Sequence, residues 1–254
     1  KKIYSTMASA RARRKRKLER AVEDRLADVR RSPATPAVLR AAAVEASADS
    51  ESSLSPAQAP SSSPSSSVIE VLEDVAETDV AAMFALLESN MRALYEASEW
   101  GWDGNKSLRE LQEPEARFAV ARVAGDVVAF AHFRLEPDDD DEPARAVLYV
   151  RDLQTAAAHR GKGLGTRLAR FCHRAATLLR LDAVLLTVFK ANERARRLYA
   201  SLGYRTDRDD PSHFGHPDTF YTILSVDPTP LPHQRQSSPP NRRRSGGNEE
   251  VGGL

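Results

Sequence analysis

The sequence predicts an α/β domain, a mixed central sheet flanked by helices, and three observations predict it. A strand-like run, Val147–Thr155, leads through a short Ala-rich connection into the glycine-rich turn Arg160-Gly161-Lys162-Gly163-Leu164-Gly165, which opens directly into an amphipathic helix. A second apolar and β-branched run, Asp182–Lys190, follows that helix, and Asn192 then begins another helix that ends in Gly203-Tyr204. Both ends of the chain are too polar to share a core. Residues 41–67 are almost wholly Ala, Ser, Pro, Glu and Asp, and residues 228–254 are rich in Pro, Ser, Arg and Gly, compositions that bury too little apolar surface to order themselves. The expected organisation is a basic segment over 1–40 with an amphipathic helix at about 14–31 that docks on the core, a disordered linker over 41–67, one domain over 68–227 and a disordered tail over 228–254.

The glycine turn carries the first functional signal. Glycines allow φ > 0 and bring several backbone N–H groups towards one point, and the helix N-terminus behind them adds partial positive charge. Such a cradle suits a pyrophosphate. It is not a dinucleotide fingerprint, which needs a third glycine, nor a P-loop, which closes on Gly-Lys-Ser/Thr.

Composition narrows the partners. Residues 1–67 hold 13 basic and 7 acidic side chains, a net of +6, whereas 68–227 hold 20 and 27, a net of −7, and 228–254 carry +2. An acidic core favours a basic substrate and argues against nucleic acid as the ligand of the core itself. The single cysteine, Cys172, cannot form an intramolecular disulfide and suits a reducing compartment. No apolar run approaches the length of a membrane span, and the N-terminus lacks the apolar centre of a signal peptide. The expectation is a soluble intracellular protein.

Along the chain, Arg11–Lys17 is a basic cluster readable as a nuclear address, a contact to a polyanion such as the ribosome, or a solvated helix face. Leu18, Val22, Leu26 and Val29 then form one narrow apolar stripe on a helix, which Pro33 and Pro36 are expected to close. Val68–Glu73 reads as a first strand, Thr78 or Asp79 as the cap of a long helix through Tyr95, and residues 105–113 as a short polar helix. Trp100 and Trp102 flank a glycine in the turn between these helices, where large rings line a pocket or fill a core. Arg117–Ala124 and Val127–Leu135 read as a hairpin joined by Gly125-Asp126 in a II′ turn. The acidic run from Glu136 to Glu142 is either a solvated loop or an acidic lip over a cationic peptide. Strand alternation sets Tyr149, Arg151 and Leu153 on one face and Val150, Asp152 and Gln154 on the other. A carboxylate inside a strand is costly unless paired, so Asp152 is either partnered by an Arg or kept for function. His213 and His216 lack further ligands nearby, and no metal is expected.

Four stretches carry a resemblance: Asn90-Met91 through Tyr95-Glu-Ala-Ser-Glu-Trp-Gly-Trp102; Ala129-Phe-Ala-His-Phe-Arg134; Leu185-Leu-Thr-Val-Phe-Lys-Ala-Asn192; and Tyr221-Thr-Ile-Leu-Ser225. Together with the glycine turn they resemble the N-alpha-acetyltransferase D family of the GNAT superfamily, over essentially all of 68–226, and Arg14–Asp28 resembles that family's N-terminal helix.

The resemblance implies the GNAT fold with a splayed strand pair that takes acetyl-CoA. It implies acetyl transfer to the N-terminal serine amine of histone H4 and histone 2A, in nucleus and cytoplasm. Asp152 and Glu136 would bind or deprotonate the amine, and Tyr199 would be general acid towards the CoA thiolate. Tyr95, Trp100, Tyr149 and Tyr221 would wall the substrate pocket. Leu153, Gln154, Thr155, Arg160, Gly161, Lys162, Gly163, Leu164, Gly165, Thr166 and Asn192 would hold acetyl-CoA. The chain departs from the family where Arg151 stands for a Tyr, Asp152 for a Glu and Glu136 for an Asp. Arg151 is expected to pair with an acid of 136–142. Two other readings stay open: acetyl transfer to a lysine side chain or polyamine, and a CoA-binding chromatin module without turnover.

Overall fold

The computed structural model describes residues 2–48, 68–138 and 143–228, with side chains from Lys15 onward. The helices are α1 (Lys2–Arg31), α2 (Thr35–Ala48), α3 (Glu77–Glu96), α4 (Gly104–Leu111), α5 (Leu164–Leu178) and α6 (Glu193–Ser201). The strands are β1 (Ile69–Leu72), β2 (Arg117–Val123), β3 (Asp126–Asp138), β4 (Arg145–Thr155), β5 (Ala183–Phe189), β6 (Arg205–Thr206) and β7 (Tyr221–Val226). They form one sheet in the order β1-β2-β3-β4-β5-β7-β6, antiparallel throughout except for β4 beside β5. A parallel pair needs a crossover, and α5 supplies it. This is the mixed, helix-flanked sheet of the GNAT fold.

Strand alternation sends one set of side chains to each face. Leu148, Val150, Phe133, Val184 and Leu186 join Leu168, Phe171 and Cys172 of α5 in the larger core. Phe118, Val120 and Phe130 meet Met83, Leu87 and Leu111 of α3 and α4 on the opposite face.

The N-terminal helices lie on the α5 side. Leu26 is fully buried, with Val22 and Val29 packed beside it, whereas Leu18 is exposed. Arg30 donates to Leu135 O at 2.9 Å, and Arg25 pairs with Asp182. Residues 41–48, expected to belong to a linker, are helical, because α2 runs to Ala48. Leu39, Ala42, Ala43 and Ala46 are buried, and small side chains let this helix lie close to α5. Pro36 sits in the first turn of α2, where its missing N–H has no intrahelical partner to lose, so it helps open a helix rather than closing one. Residues 49–67, the tail from 229, the acidic stretch 139–142 and the side chains of Arg11–Arg14 lie outside the described residues.

Two local expectations change. The β2–β3 hairpin turns on Ala124 and Gly125, at φ 53° and 93°, with Val123 opposite Asp126. Positive φ at both central residues is a type I′ turn, whose twist matches the strands. The residue preceding α3 is Ala76, which makes no side-chain cap. Asp79 instead takes Arg122 in two bonds, of 2.9 and 2.8 Å.

Candidate active site

The site is made by a bulge and a splay. On β3, Phe133 faces Val150 of β4, but His132 faces Asp152. Arg151 is therefore an extra residue, and a bulge of this kind re-aims the side chains beyond it. The alternation read from sequence breaks here. Val150 stays in the core beneath α5, while Asp152 turns to the α3 face that Tyr149 also occupies. Just beyond, β4 and β5 part company: their pairing ends at Val150 opposite Leu186, although the strands continue to Thr155 and Phe189. The β5-facing backbone groups of residues 151–155 are left without a strand partner.

Two adjoining cavities fill the gap. The first, of about 400 Å³, has Tyr95, Trp100, Tyr149, Asp152 and Tyr199 on its wall. The second, of about 500 Å³, has Leu153, Gln154, Thr155, Arg160, Gly161, Gly163, Leu164, Gly165, Thr166 and Asn192. Leu153, Gln154, Asn192 and Tyr199 border both, so the two form one passage through the splay. Of the residues expected here, Lys162, Glu136 and Tyr221 are not on either wall. Lys162 is exposed on the turn. Glu136 faces Val147, well before the splay, and lies 4.0 Å from the Arg151 guanidinium. Arg151 also stands 5.1 Å from the centre of the Tyr149 ring. Tyr221 supports the first cavity from behind, its ring 4.9 Å from Trp100.

The second cavity fits a pyrophosphate-bearing ligand. Gly163 caps α5 at φ 81°, which only glycine adopts freely, and it directs the unpaired N–H groups of the first turn of α5 at the cavity. A Cβ on Gly165 would touch Leu198 at 3.4 Å and Leu153 at 3.6 Å, so this position is packed between α6 and β4. Asn192 accepts from Ala195 N at 3.2 Å and caps α6. Asn90 of α3 ties the turn down, donating to Gln154 Oε1 at 3.0 Å and Thr155 O at 3.2 Å while accepting from Arg160. These features suit a pyrophosphate-bearing ligand such as acetyl-CoA, which the first turn of α5 and the open edge of β4 would hold.

The first cavity is aromatic and partly acidic. Trp100 is half exposed and meets Phe189, Phe220 and Tyr221 at centroid distances of 5.6, 4.9 and 4.9 Å. Tyr95 meets Trp100, Trp102 and Phe189. Burial, with Asp152 nearby, pushes the Tyr95 phenol up to about 12. Burial likewise raises Tyr149, whose hydroxyl is 2.7 Å from Thr187 Oγ1, and raises Tyr199 strongly. All three are neutral hydrogen-bond donors near pH 7. Tyr199 can therefore donate to a developing thiolate, although its raised value makes complete proton transfer unfavourable.

Asp152 has a partner that sequence reasoning missed. Among the described residues no arginine pairs with it; His132 Nδ1 lies 3.1 Å from Asp152 Oδ2. Phe189, Phe220, Thr187 and Asn90 were also overlooked as site residues. The one available signal was His132 itself, a polar residue between Phe130 and Arg134 on the inward face of an apolar strand. Among the described residues, no group of three His, Cys, Asp or Glu side chains is placed to hold a metal ion, and no helix is long and apolar enough to cross a membrane.

Residues 80–204 match the acetyltransferase (GNAT) family. N-alpha-acetyltransferase 40 of Saccharomyces cerevisiae is 35% identical over 117 residues, 41% of this chain and 41% of the yeast protein. D-amino-acid N-acetyltransferase HPA3 of the same yeast is 34% identical over 86 residues, 33% of this chain and 51% of that protein. The aligned regions thus span about half or less of these relatives. The ribosomal-protein-S18-alanine N-acetyltransferase of Escherichia coli superposes with a TM-score of 0.45 at 15% identity, over 66% of this chain and 98% of that one.

Proposed function

We infer, from residues 80–204 that belong to the acetyltransferase (GNAT) family, that this chain acetylates the α-amine of a protein N-terminus that begins with serine and continues into a basic tail, as in histone H4 and histone 2A. The observation that carries the reading is the position of Asp152, on the wall of the aromatic cavity, one residue before Leu153 and Gln154, which border that cavity and the glycine cradle alike. Similarity to N-alpha-acetyltransferase 40 supports the choice of an α-amine. The acidic domain supports a basic tail, and the four stretches quoted from the sequence support serine and the histones.

Acetyl-CoA supplies the activated acetyl thioester. The protein's part is to bring the amine to it, free its lone pair and steady the charge that develops. An α-ammonium has a pKa of about 7.7–8.0, so a fraction of the substrate is already free amine near neutrality, and Asp152 accepts the proton that leaves the nitrogen as the N–C bond forms, directly or through one water. The open β4 edge offers backbone N–H groups for the carbonyl oxygen. Tyr199 borders both cavities and donates towards the sulfur. Tyr95, Tyr149 and Trp100 exclude water around the first substrate residue, and the exposed side of Trp100 leaves room for the rest of the tail. Glu136 serves from a distance by pairing with Arg151, which moderates a cation that would otherwise repel the ammonium group. The basic N-terminal cluster is read as a nuclear address, with function in nucleus and cytoplasm.

A second reading, transfer to a small free amino acid, is favoured by the similarity to HPA3. The test is acetyl transfer to a peptide beginning Ser-Gly-Arg-Gly-Lys beside the same peptide with its N-terminal amine blocked. Transfer to the free amine alone is expected. Equal transfer to both makes the lysine the acceptor, and transfer only to free amino acids favours the second reading.

A further inference from the structure

We infer that His132 is a positioning residue for Asp152, holding the carboxylate in the one orientation that receives the substrate's proton; the inference rests on the transfer reaction proposed above. The bulge brings the two together. Were Arg151 not extra, the residue following Val150 would stand opposite His132 and that residue would be Arg151; the inserted position puts Asp152 there instead.

His132 is fully buried and stacks on Phe118 at 5.0 Å with a 25° interplanar angle. Its Nδ1 lies 3.1 Å from Asp152 Oδ2. An ionised carboxylate only accepts, so Nδ1 carries the hydrogen. Nε2 is buried and has no hydrogen-bond partner among the described residues. A hydrogen there would be an unsatisfied buried donor, at greater cost than a bare lone pair against apolar neighbours. The geometry therefore places a ring hydrogen on Nδ1, facing Asp152. The ring's action is to hold Oδ2 and leave Oδ1 for the cavity. The charged groups further along this face are already engaged: Arg134 pairs with Glu113, and Arg151 faces Glu136.

The experiment uses the full chain and two readouts. Ring-nitrogen NMR of uniformly ¹⁵N-labelled protein, with His132 assigned by its disappearance in His132→Asn, reports the tautomer without any need for turnover. The expected result is Nδ1–H in the wild type, lost in Asp152→Ala; Nε2–H in the wild type overturns the inference. Kinetics supply the second readout. His132→Leu removes a charge-assisted donor and is expected to lower kcat roughly tenfold to a hundredfold, with acetyl-CoA affinity unchanged. His132→Asn keeps an N–H at the position of Nδ1 and is expected to recover most of that loss. Equal losses in the two variants, per folded molecule, overturn the positioning role. Should the leucine variant fail to fold, the tautomer and the asparagine variant still decide. Failure of the transfer reading appears differently, as a wild type that acetylates no α-amine, and leaves the NMR result standing.

Discussion

Replacing Asp210 by asparagine tests how the wall of the aromatic cavity is held. Asp210 is 2% exposed at the start of a short 3₁₀ turn, Pro211–Phe214. Its Oδ1 accepts from Ser212 N at 2.9 Å and from the Ser212 hydroxyl; its Oδ2 accepts from Thr222 Oγ1 and Ile223 N, both at 2.7 Å. Burial alone would push this carboxyl up, but the bonds from Ser212, Thr222 and the Ile223 amide outweigh it and pull the carboxyl down to about 2. An unfolded aspartate titrates near 3.9, so the ionised form contributes on the order of 2.5 kcal/mol to folding at neutral pH. Asparagine gives up that contribution, because one of its two positions becomes an N–H facing another donor. At roughly 2–4 °C per kcal/mol, Tm should fall by about 5–10 °C. The sign comes from a folded value below the unfolded one: the stabilisation is complete above the unfolded value and lost as pH falls through about 2. Denaturant unfolding of both proteins from pH 7 towards pH 3 should show the gap narrowing. A gap of the same size at both ends, or none, would refute the reasoning. Thr222 and Ile223 lie on β7, which presents Tyr221 to Trp100, so KM for the peptide should rise while acetyl-CoA affinity holds.

Three further outcomes are expected. Gly163→Ala places a Cβ in open space but at φ 81°; a conformational cost of about 1–2 kcal/mol is relieved when the free turn leaves that conformation and is restored when acetyl-CoA binds, so affinity should fall by up to roughly fivefold to thirtyfold by calorimetry. Gly125→Ala in the remote hairpin, at φ 93°, should share the strain without the affinity loss. Arg151→Tyr removes a cation beside the cavity and should raise turnover on a basic peptide, most at low ionic strength; loss of activity would give Arg151 a role beyond its contact with Glu136. Cys172 is fully buried, and burial pushes its thiol up to about 12, so alkylation at pH 8 should be negligible in native protein and complete in denaturant.

The cradle was legible because its signal is local. Gly161 and Gly163, both at positive φ, sit between a strand and a helix within one short stretch, and Gly165 follows in the first turn of that helix. The bulge was not legible. It exists only as a mismatch between two strands, Phe133 opposite Val150 but His132 opposite Asp152, and nothing in β4 alone announces the extra residue. The faces assigned to Val150 and Asp152 failed for that reason. Glu136 was placed in the site by its acidity and by resemblance, yet its register position opposite Val147 leaves it on the fully paired part of the sheet. Helix α2 was hidden by its composition: Ala, Ser and Pro read as linker, but its buried alanines are what let it pack closely on α5. Phe189 and Phe220 read as strand and loop hydrophobics, and only the fold brings them to Trp100.

The most direct measurement is single-turnover acetyl transfer to the Ser-Gly-Arg-Gly-Lys peptide by the wild type and by Asp152→Asn, with acetyl-CoA affinity measured in both. Asparagine keeps an oxygen for His132 but cannot take a proton from the amine. The account predicts a rate lower by roughly a hundredfold or more, in the range ascribed to a positioned base, with acetyl-CoA bound as tightly as before. A rate near that of the wild type would contradict it, and the proton would have to leave by a route that does not involve Asp152.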